Sequence, residues 1–208
     1  MKPKFLQFNC IEGKKIDLRQ ANAVLRHKPD IIILEYPNNN YPLKSIEKTP
    51  SYLLKKENIE IMPWIRSDIR MWKNVDELKK NGHNILVYKI DAPNDLTNSF
   101  FNVWRHMYPC ALKNWLWWVQ IYLREKYMTR NIKWILKNYK IKKNPTILIF
   151  LQSFHWDHVK FLLKKSSFEK TWKYYFGKFF EINPRNIAKK IRAENKIFYK
   201  HWKKISDF

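Results

Sequence analysis

An α/β fold with a mixed, mostly parallel central sheet follows from three observations in this sequence. Apolar runs of strand length recur at residues 4–9, 31–34, 85–90 and 146–151. Stretches of helical period lie between them, and alternation of strand with helix is the pattern of parallel sheets. The run Ile31-Ile32-Ile33-Leu34 is apolar throughout and rich in β-branched side chains, as a strand covered on both faces must be.

The first strand covers 4–9. Asp17 or a neighbour caps a helix to about residue 27, with Leu18, Ala21, Val24 and Leu25 on one face at helical spacing. Pro29-Asp30 breaks it before the 31–34 strand, which gives a strand–helix–strand unit with a right-handed crossover. That strand ends at Glu35, ahead of Tyr36-Pro37 and a turn at Asn38–Asn40. A loop punctuated by proline and a short polar helix lead to a third strand at 59–62. A helix over 75–81, stopped by Gly82, precedes the 85–90 strand, which closes on Asp91-Ala92-Pro93. A long helical region follows in two pieces around Pro109, over 99–107 and 111–139. Pro145 precedes the last strand, 146–151, which delivers Gln152 and His155. From Asp157 the pattern is helical and basic, and Asn183-Pro184 opens a final helix to about residue 204, where proline suits the first turn. This organisation reads as an α/β core over 1–165 and a basic helical extension over 166–208 packed on it.

Composition narrows the function. The chain has 208 residues, 45% apolar and 16% aromatic, which supports one substantial core and at most two small domains and argues against disorder throughout. Only three glycines occur, Gly13, Gly82 and Gly177, so no glycine-rich phosphate loop is visible. Cys10 and Cys110 lack the spacing of a metal knuckle and are too few for a disulfide scaffold. No apolar segment precedes a cleavage site, and the longest lipophilic stretch, 115–123, is about half a membrane span. The expectation is a cytoplasmic protein with no transmembrane segment. Net charge is +23, and from Lys133 to Lys204 there are 17 Lys and 2 Arg against 4 acids. Such a field attracts nucleic acid, an acidic partner or an anionic membrane surface. Lysines outnumber arginines 32 to 9, which points to the coding bias of an AT-rich genome more than to selection for phosphate-gripping forks. The aromatics Trp104, Trp115, Trp117, Trp118, Tyr122, Trp134 and Tyr139 crowd the long helix, either as core or as an apolar patch that docks a partner or a lipid surface.

Two segments read almost as copies: Phe5-Leu6-Gln7-Phe8-Asn9-Cys10 and Phe150-Leu151-Gln152-Ser153-Phe154-His155. Each closes an apolar strand on a metal ligand or nucleophile, and open α/β sheets collect their chemistry at the C-terminal ends of strands. The plainer reading makes Cys10 a small buried hydrophobe and His155 a hydrogen-bonded loop residue. Glu35 leaves the sheet after four apolar residues, and a charge there needs a metal, several donors or a salt bridge to an arginine. Cys10, Glu35 and His155 together offer thiolate, carboxylate and imidazole, a set that suits a borderline-soft divalent ion with an open position for water. His158 adds a ligand if its segment is helical, and otherwise is an exposed residue at the start of the next helix. Arg124 shares a helical stripe with Met128, Asn131 and Ile132, so it either snorkels or meets an acid or an anionic ligand.

In order and spacing, these pieces resemble the superfamily of TraB, Tiki, ChaN-like and erythromycin-esterase-like proteins. The corresponding segments are Gln7-Phe8-Asn9-Cys10, then Pro29-Asp30 leading through the apolar run to Glu35, then Arg124-Glu125-Lys126-Tyr127-Met128 with Ile132, then Gln152-Ser153-Phe154-His155. The resemblance covers roughly residues 4–163 and implies a central sheet between helical layers. It also implies one site in which Cys10 and His155 stand for two family histidines, with Glu35 and Arg124 as catalytic residues. Tiki-type members are metal-dependent peptidases, so it further implies a divalent ion, zinc or manganese, held by Cys10, Glu35 and His155. Gln7 and Gln152 replace the glycines of both motifs, which crowds the site or supplies amides to it, and Cys10 softens the metal preference. The expected function is a metal-dependent hydrolase. Its rivals are a catalytically inactive protein whose basic helices hold nucleic acid or an acidic partner, and a peripheral protein on an anionic membrane.

Overall fold

The computed structural model describes residues 3–8, 14–48, 63–99, 115–141, 143–164, 168–176 and 184–205. Its elements in chain order are β1 (Lys4–Phe8), α1 (Lys14–His27), β2 (Ile31–Pro37), α2 (Pro63–Lys80), β3 (Leu86–Asp91), a helical stretch over 94–99, α3 (Trp115–Asn138), β4 (Thr146–Phe150), α4 (Ser153–Leu163), α5 (Phe168–Phe176), α6 (Pro184–Glu194) and α7 (Lys196–Ile205). The four strands form an all-parallel sheet in the order β1-β4-β2-β3, and the fold is α/β. The expected strand at 59–62, the expected helix over 99–107 beyond residue 99, and Cys110 lie outside the described residues.

Contacts divide the chain into two units, one of residues 1–35, 40–89 and 138–156, the other of 36–39, 90–137 and 157–208. The described parts of the expected basic extension, 168–176 and 184–205, thus share a unit with α3.

The first unit holds the body of the sheet. β4 sits between β1 and β2, with Phe8 opposite Phe150 on one side and Leu34 opposite Phe150 on the other. Ile31 to Leu34 and Ile147 to Phe150 are buried, which explains why neither strand shows polar alternation. Asp30 ties their N-terminal ends together. Its carboxylate accepts from Thr146 N–H at 2.7 Å, its own N–H donates to the Thr146 carbonyl at 2.9 Å, and its carbonyl accepts from Leu86 N–H at 3.0 Å. The Pro-Asp pair ahead of β2 is therefore a clamp across three strands.

α1 packs on α2 in this unit. α2 buries Met71, Trp72, Val75 and Leu78, one stripe at helical spacing, and Asn74 Nδ2 donates to the Ala21 carbonyl at 2.7 Å. On α1 the buried positions are Gln20, Ala21, Ala23 and Val24, while Leu18 and Leu25 are exposed. The expected face is thus rotated toward the small residues, which let α2 approach closely. α2 begins a full dozen residues before the expected 75–81 helix. It ends on Gly82 at φ 84°, with His83 N–H bonded to the Leu78 carbonyl and Gly82 N–H to that of Lys79.

The second unit has its own core, built from Leu116, Val119, Tyr122, Leu123 and Tyr127 of α3 against Tyr175, Phe176, Ile187, Ile191, Phe198 and Trp202. Trp115, Trp117 and Trp118 pack against that core and are partly buried. Trp104 lies outside the described residues, while Tyr122 is core, in contact with Tyr175, Phe176 and Trp202 at ring separations of 5.1, 5.8 and 5.5 Å. The expected single C-terminal helix is two, broken at Asn195. Its side chain caps α7 through Phe198 N–H at 3.0 Å. No described helix is long and apolar enough to cross a membrane.

Candidate functional site

Glu35 and His155 meet in the first unit. β2 carries Glu35 past the residues paired with β4, and α4 begins at Ser153, which puts His155 in its first turn and not in a loop. Glu35 Oε2 accepts Gln152 N–H at 2.9 Å. Its other oxygen, Oε1, lies 3.6 Å from His155 Nε2, with the side chains only 10% and 3% exposed. A carboxylate at a helix N-terminus answers unsatisfied N–H groups and the positive end of the helix dipole, and that local chemistry holds Glu35 near the C-terminal end of β2.

The motif glutamines have different duties. Gln7 Nε2 donates to the Leu151 carbonyl at 2.7 Å, and Leu151 N–H donates to the Phe8 carbonyl at 3.2 Å. The Gln7 side chain therefore continues the β1–β4 ladder where β4 stops, while Gln152 contributes its backbone N–H to Glu35. Trp156, one residue past His155, packs on Phe5 with ring centroids 5.6 Å apart.

Cys10 lies outside the described residues. Among the described residues, no group of three or more His, Cys, Asp or Glu side chains is arranged to hold a metal. Arg124 is in the second unit, where it grips Asp91 at the end of β3 through two parallel bonds, Nε to Oδ1 at 3.1 Å and Nη2 to Oδ2 at 2.5 Å. Asp91 Oδ1 also accepts Ala92 N–H at 2.7 Å. Of the two readings open for an inward arginine, the acid is the one on display.

Two side-chain networks in the second unit, one buried and one reaching the surface at Asp95, carry little sequence signal. Glu125 is fully buried, and His158 Nδ1 lies 2.8 and 2.9 Å from its two oxygens. The Tyr175 hydroxyl donates to the same carboxylate. Burial first, and then the Glu125 charge, push the Tyr175 phenol far above its usual range, so it stays a donor. His158 is therefore no exposed residue at a helix start, since it lies inside α4 and is buried. Glu125 sits between Arg124 and Lys126, which makes it look like part of a solvated triplet.

The second network joins Tyr127, His201 and Asp95. The Tyr127 hydroxyl is 2.8 Å from His201 Nδ1, and His201 Nε2 is 3.0 Å from Asp95 Oδ1. Burial pushes the Tyr127 phenol up to about 12, so it keeps its proton and donates to Nδ1. The imidazole proton then resides on Nε2 and points at the carboxylate. Burial raises Asp95, but hydrogen bonds and charge from Lys200 and His201 outweigh it and leave the carboxyl below its usual value.

Burial lowers His201 below its ordinary 6.5, against the opposing pull of Asp95 and with help from Lys200 and Lys204. The unfolded chain therefore takes up this proton before the folded one as pH falls. Stability supplied by neutral His201 is complete above 6.5 and is lost as pH drops through the depressed folded value. Urea midpoints measured from pH 8 down to pH 5 should fall for the native chain, and less steeply for His201→Gln. Equal slopes would remove His201 from the linkage.

No protein-family model, curated protein or solved structure matches the chain.

Proposed function

We propose that this protein is a metal-assisted hydrolase whose chemistry lies at Glu35 and His155 of the first unit. The observation that carries the reading is the approach of Glu35 Oε1 to His155 Nε2 at 3.6 Å, beyond the C-terminal ends of two adjacent parallel strands. Two donors at that separation fit the ligand sphere of one ion at bond lengths of ~2 Å. Glu35, His155 and the Cys10 thiolate are the residues that would hold it. Bound there, a divalent ion supplies a water of lowered pKa for attack on a scissile carbonyl.

The chain's own residues do the positioning. Gln152 N–H fixes one Glu35 oxygen and leaves the other aimed at His155. The first turn of α4 holds the imbedded imidazole, and Phe5 against Trp156 anchors that turn to β1. Burial of both side chains strengthens their interaction by keeping water out.

Elemental analysis of protein purified without added metal tests the proposal. About one transition-metal ion per chain is expected, falling to under about a tenth in Glu35→Gln and His155→Ala. Cys10 should be alkylated much faster after chelation than before, with Cys110 unchanged as the internal comparison. A metal-free native protein would overturn the hydrolase reading. It would favour the second reading, a binding protein for an anionic partner. That reading is supported by the exposed cations Lys189, Lys190, Arg192, Lys196, Lys200, Lys203 and Lys204 on α6 and α7, where Glu194 is the one acid among the described side chains.

A further inference from the structure

The first unit contains an open groove of about 390 Å³ lined by Phe8, Arg19, Asn22, Ala23, Arg26 and His27. Four of these residues follow the spacing i, i+3, i+4, i+7 and form one stripe along α1. Ala23 is buried and forms the shallow centre of the stripe, while Arg19, Asn22 and Arg26 are exposed beside it. Phe8 supplies an aromatic wall, braced by Phe150 at 5.9 Å and His27 at 6.2 Å between ring centroids.

Strand parity separates this groove from Glu35 and His155. Phe8, Phe150 and Leu34 are in register, so their side chains leave the sheet on one face, the face of α1. Phe5 projects to the other face and meets Trp156 of α4 there, and Glu35, one residue past Leu34, follows the same parity. The groove is a separate site, and nothing about it depends on the hydrolase reading.

Its chemistry is specific in a way the overall charge is not. The chain uses lysine 32 times and arginine 9 times, yet both cations of this stripe are arginines. Among the described residues neither Arg19 nor Arg26 has an ion pair, so no described acid neutralises the two planar forks at the groove. Guanidinium forks match phosphate oxygens in pairs, and a phenylalanine face accepts a planar base. The arginines are two turns apart, about 10 Å along the helix axis, a span wider than a single small oxyanion. An aromatic ring with an attached phosphate fills the same span.

We propose that this groove binds a nucleotide unit, with the base against Phe8 and the phosphate on the arginine stripe of α1. Asn22 lies between Arg19 and Arg26 with both a donor and an acceptor for the sugar or base edge.

Calorimetric titration of the full chain at low salt, with adenosine 5′-monophosphate and separately with a single-stranded oligoadenylate, tests the proposal. Binding of the mononucleotide identifies a free nucleotide as the source. Binding of the oligomer alone identifies a polynucleotide strand, and either result supports the site. Adenosine and inorganic phosphate should each bind at least about tenfold more weakly, because each offers half of the recognition. Arg19→Ala with Arg26→Ala should weaken binding at least about tenfold, and Phe8→Leu by about tenfold. Both arginines are exposed, so their removal leaves the fold intact, and the melting curve checks this. The double variant Lys80→Ala with Lys137→Ala removes the same charge from exposed positions elsewhere and should bind as the native chain does. No binding by either probe would overturn the site. So would phosphate binding as tightly as the nucleotide, or equal losses in the two double variants, which would reduce the effect to net charge.

Discussion

His158→Leu should lower the free energy of unfolding by about 3–5 kcal/mol, because it takes a donor from a carboxylate sealed away from water. Glu125 has no exposed surface, and its oxygens are held by His158 and by Tyr175 from α5. Removing one partner leaves a buried carboxylate short of a donor, which is costly in a packed aromatic shell. That shell includes Tyr174 and Tyr175, whose rings stand edge-on to His158 at 5.1 and 5.3 Å. Replacing the whole network by Glu125→Leu, His158→Leu and Tyr175→Phe together should recover most of the loss, since an apolar cluster carries no desolvation cost. Chemical denaturation of the single and triple variants measures both. A loss below about 1 kcal/mol for His158→Leu would mean that the His158–Glu125 contact contributes little to the fold.

This network shows where reading the sequence stops. β2 and β4 are legible because a strand buried on both faces must be apolar at every position, and few other structures ask for that. Glu35 stands out for a related reason, since a polar residue that ends such a run has to be accommodated where the strand leaves the sheet. α4 is misplaced by four residues because Gln152 is a weak helix cap. The cap there is Glu35, supplied from another strand, and such a partner has no local signature. Leu18 and Leu25 fit a helical stripe as well as Ala21 and Val24 do. Close packing against α2 chooses the small side chains, which hydrophobicity alone does not rank. Glu125 and His158 are 33 positions apart, each among residues that suit a solvated helix face. Their burial is decided by the aromatic core that closes over them, and periodicity within either helix cannot reveal it.

Arg124→Leu should also cost about 3–5 kcal/mol, and its effect separates structure from chemistry at a residue that the superfamily resemblance makes catalytic. The Arg124 fork holds both oxygens of Asp91, whose side chain is 3% exposed, and leaves that acid buried without its cation when removed. Arg124→Lys keeps the charge but loses the second bond of the fork, so it should cost less than Leu and still be measurable. Asp91→Asn combined with Arg124→Leu should be less destabilising than the two single losses added together, because the residues share one interaction. A double-mutant cycle by denaturant unfolding measures that coupling. If Arg124→Leu left stability unchanged, the pair with Asp91 would be incidental and any duty of the arginine would be chemical. If Arg124→Lys loses stability along with Arg124→Leu, the arginine acts through the fold by fixing the end of β3. The conserved-charge variant is the informative one, since a guanidinium needed to grip a developing oxyanion and one needed to brace Asp91 respond to it differently. A lysine can answer an oxyanion as a point charge, but it cannot span both oxygens of Asp91.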